Sequence, residues 1–465
     1  MKIAVLIARV LVGSLFIVSG LIKANDALGF MYKLEEYFEP GALNLPGLAP
    51  YALGLGMAIC IGEILLGVAL LLGAFPRTTA VLTGLMMGFF TWLTWYTTNC
   101  DPNGTKWIVD ATGASVEIAN QCVLTCGCFG NAIPLTPYES FLKDVVLSIL
   151  TLPILWGAFA GWTELNDRRR GVGVVTASLV LIYGFSAWML DWMFPVLFAA
   201  LAFLVAEGLR ARIRGKAQEW AMATGVLVVC AIFQYQTYVH LPMKDYTAYA
   251  PGKNIPEQMK SAEELGLQAP IYAVEYTFRN RSTGQDTTVL SSDWMKVYNQ
   301  PWFQSTYEQV SFDGDEVEIA EGYTPPIQDL QFLDANGEDV TEALLTAPGY
   351  LLVHVSKDVP ASEGRGQEAL NALAGFAQRS GWRMIGLTNL SAEDNAAFAQ
   401  RVGASYPFYA CDQTELKILV RSNPGLVLLH EGVVIEKWAW RDFPTPEDLA
   451  RYLPAAVRAG ASAGA

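Results

Sequence analysis

Long apolar runs fill the first half of the chain, and shorter alternating segments follow after residue 240. About 20 mostly apolar residues are enough for an α-helix to cross the hydrocarbon core of a bilayer. The pattern therefore predicts seven membrane spans. They are expected at about 3–23, 51–75, 78–98, 140–161, 172–189, 190–208 and 218–238. Only a tight turn near residue 191 separates the fifth and sixth spans, so a single broken hairpin is the alternative there. The first run is too long for a signal peptide and no small-residue cleavage site follows it, so we expect a retained helix.

The second half of the chain has the alternation typical of strands and amphipathic helices. Residues 241–345 indicate a strand-rich segment that contains a hairpin of 272–278 with 287–290. Residues 346–465 predict the element order βαβαβαββα. The strands are expected at 350–355, 382–388, 406–411, 425–430 and 433–439, and the helices at 365–379, 391–402, 414–421 and 445–458.

These patterns predict an all-α membrane bundle followed by an α/β domain. The expected division has four segments. They are a four-helix membrane domain with a cysteine loop (1–162), three further membrane helices (163–240), a strand-rich linker domain (241–345) and the α/β domain (346–465).

Charge is distributed unevenly between the two halves. The chain is 52% hydrophobic, only 16% charged, and carries a formal net charge of −14. Residues from 241 onward hold 30 acids and 17 bases, so nearly all the excess negative charge lies there. We expect a solvated acidic domain in that half and no nucleic-acid partner, because no basic patch is present.

The basic residues of the short loops predict the orientation in the membrane, since such loops stay in the cytoplasm. They are Arg77, Arg168, Arg169, Arg170, Arg210, Arg212, Arg214 and Lys216. All of these loops fall on one side if the N-terminus is cytoplasmic. An odd number of spans then places the C-terminal half outside the cytoplasm. We therefore expect a multi-pass protein of a bacterial inner membrane, in contact with lipid, with a periplasmic C-terminal domain.

Four charged residues lie within the predicted spans: Arg9, Glu63, Lys143 and Asp144. Charges in a membrane are costly and usually face the interior of a bundle or a pathway. For Arg9 and Lys143 the alternative is a position near a helix end, from which a long side chain reaches the interface. Three scattered histidines give no metal site, and we expect none.

Four of the seven cysteines lie in one predicted extracytoplasmic loop, where disulfides are permitted: Cys100, Cys122, Cys126 and Cys128. A disulfide across the one glycine between Cys126 and Cys128 would be strained, which suits exchange. Lys143, expected at the start of the fourth span, would add positive charge beside these thiols. Cys100 and Cys122 would then be a structural pair.

Two alternatives remain open for the loop. Structural bonds of Cys100 with Cys128 and of Cys122 with Cys126 are one of them. The other is a zinc site with four cysteine ligands, although the Cys-x-Cys spacing is unusual for zinc.

Several motifs carry a resemblance to known membrane families. The segment Phe16-Ile-Val-Ser-Gly-Leu-Ile-Lys23, followed by Asp26, resembles the first helix of the DoxX family. Glu63 with Gly67 and a Leu-Leu-Gly run at 71–73 is similar to its second helix. Cys126-Gly-Cys-Phe-Gly130 and Ser140-Phe-Leu-Lys-Asp144 resemble the related MauE family. The likeness covers about residues 1–160 and is nearest to a bacterial group with an additional periplasmic domain.

This resemblance implies a four-helix core like that of the quinone-linked thiol oxidoreductases VKOR and DsbB. Cys126 and Cys128 would then be the catalytic pair, a quinone would be the expected cofactor, and the function would be the maturation of disulfides in exported proteins. The loop departs from those enzymes in having Cys-Gly-Cys in place of a Cys-x-x-Cys pair.

Residues 346–465 resemble a thioredoxin fold in which Pro424 would be the cis-proline. A thioredoxin carries Cys-x-x-Cys after its first strand, whereas residues 356–364 contain no cysteine. Cys411 is the one thiol of this segment, and we expect it to be a buried apolar filler. The resemblance therefore implies a module that binds a periplasmic or membrane protein partner.

Three functions follow from these observations. The first is a membrane thiol–disulfide oxidoreductase that uses Cys126 and Cys128. The second is a non-enzymatic scaffold whose C-terminal domain binds a client or an envelope complex. The third is a solute- or lipid-handling protein with Glu63 and Lys143 along a path.

Overall fold

The computed structural model describes residues 1–453 except 110–112, 124–126, 128, 216, 313 and 315, and only the backbone of Arg168. Its first half is helical, and one short hairpin of strands β1 and β2 precedes the fifth helix. The helices are α1 (Lys2–Asn25), α2 (Ala27–Phe38), α3 (Ala52–Leu72), α4 (Pro76–Thr98), α5 (Pro137–Phe159), α6 (Arg168–Phe185), α7 (Phe194–Arg212) and α8 (Ala217–Val239), and the strands are β1 (Thr105–Val109) and β2 (Ser115–Ala119).

Within the described residues, six helices are long and apolar enough to cross a membrane. They are Lys2–Asn25, Pro46–Leu72, Pro137–Phe159, Arg169–Leu190, Phe194–Arg212 and Ala217–Val239. These six confirm six of the seven predicted spans. The fifth and sixth spans are separate helices, because the chain reverses at Asp191, which has a left-handed backbone (φ 45°).

The remaining predicted span, 78–98, is present as helix α4 but is less hydrophobic than the other six. Seven of its 23 residues are threonine, which lowers its hydropathy. The hydroxyls of Thr91 and Thr97 donate to carbonyls one turn earlier, on Met87 and Leu93. Such bonding satisfies a hydroxyl in an apolar medium. A membrane crossing by α4 stays a prediction.

Helix α1 lies at the centre of the bundle, in contact with α3, α5, α6 and α8. Small residues let α1 and α3 approach closely: a Cβ atom on Gly67 would lie 2.6 Å from the carbonyl oxygen of Gly13. Close backbone approach at small residues is the usual way in which membrane helices associate. On the side toward α6, the hydroxyls of Ser14 and Ser178 form a buried 2.8 Å hydrogen bond.

The C-terminal region, which we define as residues 241–453, begins with a strap of residues 241–256 that follows α8. Two short helices follow, α9 (Ile255–Met259) and α10 (Ala262–Leu265). An antiparallel sheet comes next, in which β3 pairs with each of the other strands. Its elements are β3 (Ile271–Asn280), β4 (Asp286–Leu290), α11 (Ser291–Tyr298), α12 (Pro301–Thr306), β5 (Tyr307–Ser311) and β6 (Glu316–Ala320). The β3–β4 pair is the predicted hairpin, with Arg279 opposite Asp286.

A second sheet has five strands in the order β11-β10-β7-β8-β9, with β7, β8 and β9 parallel and β10 antiparallel to β7 and β11. Its strands and the helices around them follow the predicted order. They are α13 (Thr341–Leu345), β7 (Tyr350–Ser356), α14 (Val359–Ser362), α15 (Gln367–Ser380), β8 (Arg383–Thr388), α16 (Ala392–Val402), β9 (Phe408–Ala410), α17 (Gln413–Leu419), β10 (Gly425–His430), β11 (Val433–Ala439) and α18 (Pro446–Leu449). The predicted last helix, 445–458, is shorter, because a 3₁₀ turn (Ala450–Tyr452) follows α18. Residues 454–458 lie outside the described part.

The core of the five-stranded sheet draws on residues well upstream of its first strand. Tyr249, Ile255, Ile327 and Phe332 are buried in one cluster with the side chains of β7 and β10. The strap also adds backbone hydrogen bonds at the sheet edge, from Ile255 N–H to the carbonyl of Gly432 (2.8 Å). The four-stranded sheet therefore interrupts this unit in sequence.

Candidate functional site

A buried ion pair joins the end of α1 to the middle of α3. The Lys23 ammonium lies 2.5 Å from Glu63 Oε1, and both side chains are at most 2% exposed. Lys23 Nζ also donates to Ser19 Oγ at 3.0 Å and lies 5.1 Å from the centre of the Phe90 ring. Gly20 permits this approach, since a Cβ there would meet Glu63 Cβ at 3.1 Å.

Glu63 therefore faces the bundle interior, where the Lys23 ammonium compensates its charge. Charged residues within membrane spans usually face the interior of a bundle in this way. The sequence interpretation had not included its partner, Lys23, among the site residues. The sequence feature that could have identified Lys23 is its position at the end of the DoxX-like segment, 40 residues before Glu63.

A second pair of charges lies on α5. Lys143 Nζ is 2.7 Å from Asp144 Oδ1, and the buried Asp144 carboxylate also accepts a hydrogen bond from Thr94 Oγ1 at 3.2 Å. The Lys143 ammonium lies 5.1 Å from the centre of the Phe129 ring. Helix α5 begins at Pro137, capped by Thr136, so Lys143 is not at the start of the helix as we had expected.

Arg9 is fully buried at the opposite end of α1, away from these pairs. Its Nε donates to the carbonyl of Leu70 at 2.8 Å, and one terminal nitrogen lies 3.5 Å from the carbonyl of Leu71. The guanidinium thus binds the last carbonyls of α3, where a helix end favours positive charge. Burial excludes the snorkelling alternative for Arg9 and indicates a structural role.

The cysteine loop contains a disulfide between Cys100 and Cys122, with their Cα atoms 5.7 Å apart. It closes the β1–β2 hairpin and excludes, in this structure, the alternative pairing of Cys100 with Cys128. Cys126 and Cys128 lie outside the described residues. Within the described part of the chain, no group of His, Cys, Asp and Glu side chains is arranged to hold a metal ion.

Gly127 and Phe129, the described neighbours of Cys128, line one cavity, and Phe129 also lines a second one. The bundle cavity is lined by Lys23, Glu63, Phe90, Phe129, Lys143 and Asp144, among others. The junction cavity, of about 690 Å³, is lined by α2, residues 129–135 and part of the C-terminal region, together with Gly127. Phe129 lines both cavities. Gly127 has φ +70° and packs against Lys33, whose Cγ would lie 2.9 Å from an added Cβ.

The C-terminal region is held against the bundle beside the junction cavity. Arg421 Nε lies 2.9 and 3.0 Å from the two carboxylate oxygens of Asp26, the N-cap residue of α2. Three cations surround the ring of Tyr32 on α2: Lys417 at 4.8 Å, Lys357 at 5.4 Å and Arg421 at 5.8 Å from its centre.

Two of these cations lie in loops beside the predicted cis-proline. Lys357 directly follows β7, and Arg421 precedes the Asn423–Pro424 bond, which is cis. Asn423 joins the two loops, since its side-chain amide donates to the carbonyl of Asp358 at 2.7 Å. Burial, together with the nearby Arg421, lowers the pKa of Lys357 to about 7. Burial also raises the pKa of the Tyr32 hydroxyl.

Three further contacts involve the strap and His240, which directly follows α8. Lys437 Nζ lies 2.6 Å from Asp245 Oδ2, and His240 Nδ1 lies 2.7 Å from Asp442. The Tyr249 hydroxyl donates to the Glu415 carboxylate. Sequence reasoning had missed Tyr32, Asp245 and Arg421 as contact residues, because nothing in their local patterns distinguishes them from ordinary surface positions.

Residues 1–102 match the family model described as methylamine utilisation protein MauE. This match confirms the resemblance over residues 1–102, which are similar to MauE membrane proteins. The matched residues include α1 to α4, with Lys23, Glu63 and Cys100, and end before Cys122. The comparison with curated proteins found no match.

Proposed function

We propose that this membrane protein carries out thiol–disulfide exchange through Cys126 and Cys128. The observation that carries the proposal is the position of their described neighbours. Gly127 lines the junction cavity, and Phe129 lies between that cavity and the buried Lys23–Glu63 and Lys143–Asp144 pairs. A reactive disulfide needs access from solvent and a polar environment that favours the thiolate. Gly127 is partly exposed, which supports access, and Phe129 lies beside the Lys143 ammonium, which supports a polar environment.

Exchange of this kind needs no cofactor. A substrate thiolate attacks one sulfur of the Cys126–Cys128 disulfide, the bond between the two cysteines breaks, and the released thiolate takes a proton from water. A second substrate thiolate then attacks the substrate sulfur of the mixed disulfide, which yields a substrate disulfide and two cysteine thiols. A different disulfide reoxidises these thiols by the reverse steps. Two thiols are oxidised and one disulfide is reduced in each half of the cycle.

Two ammonium groups lie near the loop and favour the thiolate. Lys33 packs against Gly127, and Lys143 lies over the ring of Phe129. Each is also bound by a carboxylate, Lys33 by Glu36 at 2.6 Å and Lys143 by Asp144. These carboxylates partly compensate the two ammonium charges.

The bundle cavity beside the buried ion pairs is too small for a quinone. The bundle cavity has a volume of about 20 Å³, which is room for a single water. The resemblance to quinone-linked enzymes thus remains an expectation, and we assign no step to a quinone.

We propose a periplasmic location for the loop and the C-terminal region, since a structural disulfide such as Cys100–Cys122 persists in an oxidising compartment. This orientation in a bacterial inner membrane needs α4 as a seventh span. The ends of α4 support it. Phe75 N–H, just before α4, bonds Glu219 at the start of α8. Thr97, near its end, bonds Tyr37 of α2 at 3.1 Å. Helix α4 thus extends from one end of the bundle to the other.

We also propose that the five-stranded sheet and its helices are a thioredoxin-like module without its own redox centre. The strand order and the cis Asn423–Pro424 bond support the likeness. Cys411 is buried, and burial raises its thiol pKa to about 12, so this thiol is a poor nucleophile. The core residues from the strap and from 327–332 suggest that the module begins upstream of the expected boundary at residue 346.

A mixed-disulfide trap tests the exchange proposal. Cys126→Ser and Cys128→Ser are each introduced into the full chain, and membranes are alkylated and separated without reduction. We expect one variant to retain a partner through a bond that reductant releases. Cys60→Ser is the control, because Cys60 is buried in α3. Failure of both loop variants to form an adduct with any thiol or disulfide would overturn the proposal.

A second candidate function is a non-enzymatic scaffold, favoured by the way the C-terminal region is fixed on the bundle. Its loops after β7 and before β10 contact α2, and Arg421 is only 9% exposed. A client would then bind another surface of the C-terminal region. The maturation of exported proteins is compared between a strain with Cys126→Ser and Cys128→Ser and a strain that lacks the protein. Normal maturation in the first strain and impaired maturation in the second would favour this function.

A further inference from the structure

An apolar groove lies on the bundle between α3, α4 and α8. It is lined by residues at the end of α3 and near the starts of α4 and α8, and its volume is about 280 Å³. Helices α4 and α8 both pack on α3. The small side chains of Ala69, Ala74 and Ala223 leave room between the three helices, while larger ones such as Leu72 and Met222 form the walls.

The polar side chains of the groove bond within the chain. Glu219 Oε2 accepts a hydrogen bond from the Phe75 N–H at 2.5 Å, and the Thr79 hydroxyl donates to the carbonyl of Ala74 at 2.8 Å. The third polar lining residue, Thr78, is exposed. An enclosed water needs two to four polar partners. The groove therefore suits an apolar chain better than water or a polar solute.

The groove faces lipid and lies at the end of the bundle away from the C-terminal region. At the end of α3, the carbonyl of Leu70 binds Arg9 from the first turns of α1. The C-terminal region docks at the other end of α1, where Arg421 binds Asp26. Helices α3 and α8 are long and apolar enough to cross a membrane, so the medium around the groove is the bilayer.

The end of the groove has the side chains of a membrane–water interface. The rings of Phe75 and Trp220 make an edge contact with their centres 5.0 Å apart, and Trp220 is 67% exposed. Tryptophan is enriched at the level of lipid headgroups. Two exposed arginines are near in sequence: Arg77 precedes the lining residue Thr78, and Arg214 precedes α8. In the proposed orientation this end lies at the cytoplasmic leaflet, which is negatively charged.

From these features we infer that the groove binds an acyl chain of an anionic phospholipid, with the lipid phosphate beside Arg77. The inference does not depend on the proposed thiol–disulfide exchange. The acyl chain packs against the apolar lining, where each contact adds a small dispersion energy. The phosphate forms a charge-assisted hydrogen bond with the guanidinium, which selects an anionic lipid over a zwitterionic one.

Lipid retention by the full-length protein tests the inference. The protein in mild detergent is equilibrated with equal amounts of phosphatidylglycerol and phosphatidylcholine, and native mass spectrometry counts the bound lipids. Ala69→Phe and Ala223→Phe fill the groove from two different helices. Each should reduce phosphatidylglycerol retention at least about fivefold, the effect of one or two methylene groups left unburied. Val180→Phe is the matched control, since Val180 is 62% exposed on α6.

Arg77→Gln tests the headgroup contact separately, because it leaves the packing of the groove unchanged. It should reduce phosphatidylglycerol retention about fivefold, the effect of one basic residue near the membrane surface, and leave phosphatidylcholine retention unchanged. Arg169→Gln is the control, since Arg169 is exposed at the start of α6 and does not line the groove.

Thermal unfolding shows whether the filled variants have lost the lipid site or the fold. Phosphatidylglycerol should raise the Tm of the unaltered chain and of both controls, because it binds the folded state. The filled variants should unfold cooperatively and show no such increase. Unchanged phosphatidylglycerol retention in both filled variants, or equal retention of the two phospholipids by the unaltered chain, would overturn the inference. Recovery of a neutral isoprenoid lipid in place of a phospholipid, when the protein is extracted from its own membrane, would also overturn it.

Discussion

Asp26 and Arg421 are 395 residues apart in sequence and form an ion pair with N–O distances of 2.9 and 3.0 Å. The pair connects the start of α2, at the end of the first membrane helix, to the loop before the cis-proline. Arg421 is almost completely buried, and this carboxylate compensates its charge. The contact therefore fixes the position of the C-terminal region above the cysteine loop.

Asp26→Asn should weaken this docking more than the loss of an ordinary surface pair. Removal of one partner leaves a nearly buried guanidinium without its counter-ion. Since Asp26 itself is partly exposed, we expect a loss of about 1–3 kcal/mol, below the roughly 3–5 kcal/mol of a fully buried pair. The measurement is protease susceptibility of the strap at 241–256 in detergent.

The double variant Asp26→Asn with Arg421→Gln should recover part of that loss, because the two residues interact directly. Glu363→Gln removes a partner from an exposed pair and should change stability by less than about 1 kcal/mol. Full additivity of the two single substitutions would contradict the assigned ion pair.

Gly29→Ala should disturb the same contact without removing a charge. A Cβ atom on Gly29 would lie 2.2 Å from Asp26 Oδ2 and 2.9 Å from a terminal nitrogen of Arg421. The carboxylate would have to move, so strap proteolysis should increase as it does for Asp26→Asn. Gly54→Ala is the control, since nothing lies within 4 Å of a Cβ at that position. Identical behaviour of the two alanine variants would argue against the observed packing.

The charge of Lys357 should make the docking pH-dependent. Burial lowers its pKa from 10.5 to about 7, so the unfolded chain binds the proton more tightly than the folded one. The buried charge lowers the free energy of unfolding. This penalty is complete below pH 7 and declines as pH rises from 7 to about 10.5, so stability increases over this range. Its size is on the order of a few kcal/mol.

Lys357→Met removes this titrating group. Its unfolding free energy should exceed that of the unaltered chain at pH 7, and the difference should shrink toward pH 10. Denaturant unfolding in detergent at several pH values measures it. A difference that stays constant over this range would show that Lys357 retains its charge in the folded protein.

The orientation can be checked with reporters fused after residue 465. Seven spans with a cytoplasmic N-terminus predict an active alkaline phosphatase and an inactive cytoplasmic reporter at that point. If α4 does not cross the membrane, the six confirmed spans place both ends on the same side. An inactive phosphatase with an active cytoplasmic reporter would show this.

The sequence predicted the elements of the fold far better than their contacts. Hydropathy identifies six spans because burial in lipid acts on each helix separately. It is less decisive for α4, where seven threonines offset the apolar residues. Alternation and turn residues identify β3, β4 and the five strands of the second sheet for the same local reason.

The site was only partly visible in the sequence. Glu63 and Asp144 stood out because a carboxylate in a membrane span is costly. Lys23 did not, since a lysine at a helix end is also explained by snorkelling. Asp26 and Arg421 meet only after both halves have folded, so no local pattern encodes their contact. The same holds for Tyr249, which is buried in a core that begins a hundred residues later.

The central claim is that Cys126 and Cys128 form the exchangeable pair while Cys100–Cys122 is structural. Graded reduction of the non-denatured protein, followed by alkylation and peptide mass spectrometry, tests it most directly. We predict that two thiols become reactive first, that they map to Cys126 and Cys128, and that the Cys100–Cys122 bond survives until strong reductant is added under denaturing conditions. Simultaneous appearance of all four thiols, or first release of Cys100 and Cys122, would contradict the claim.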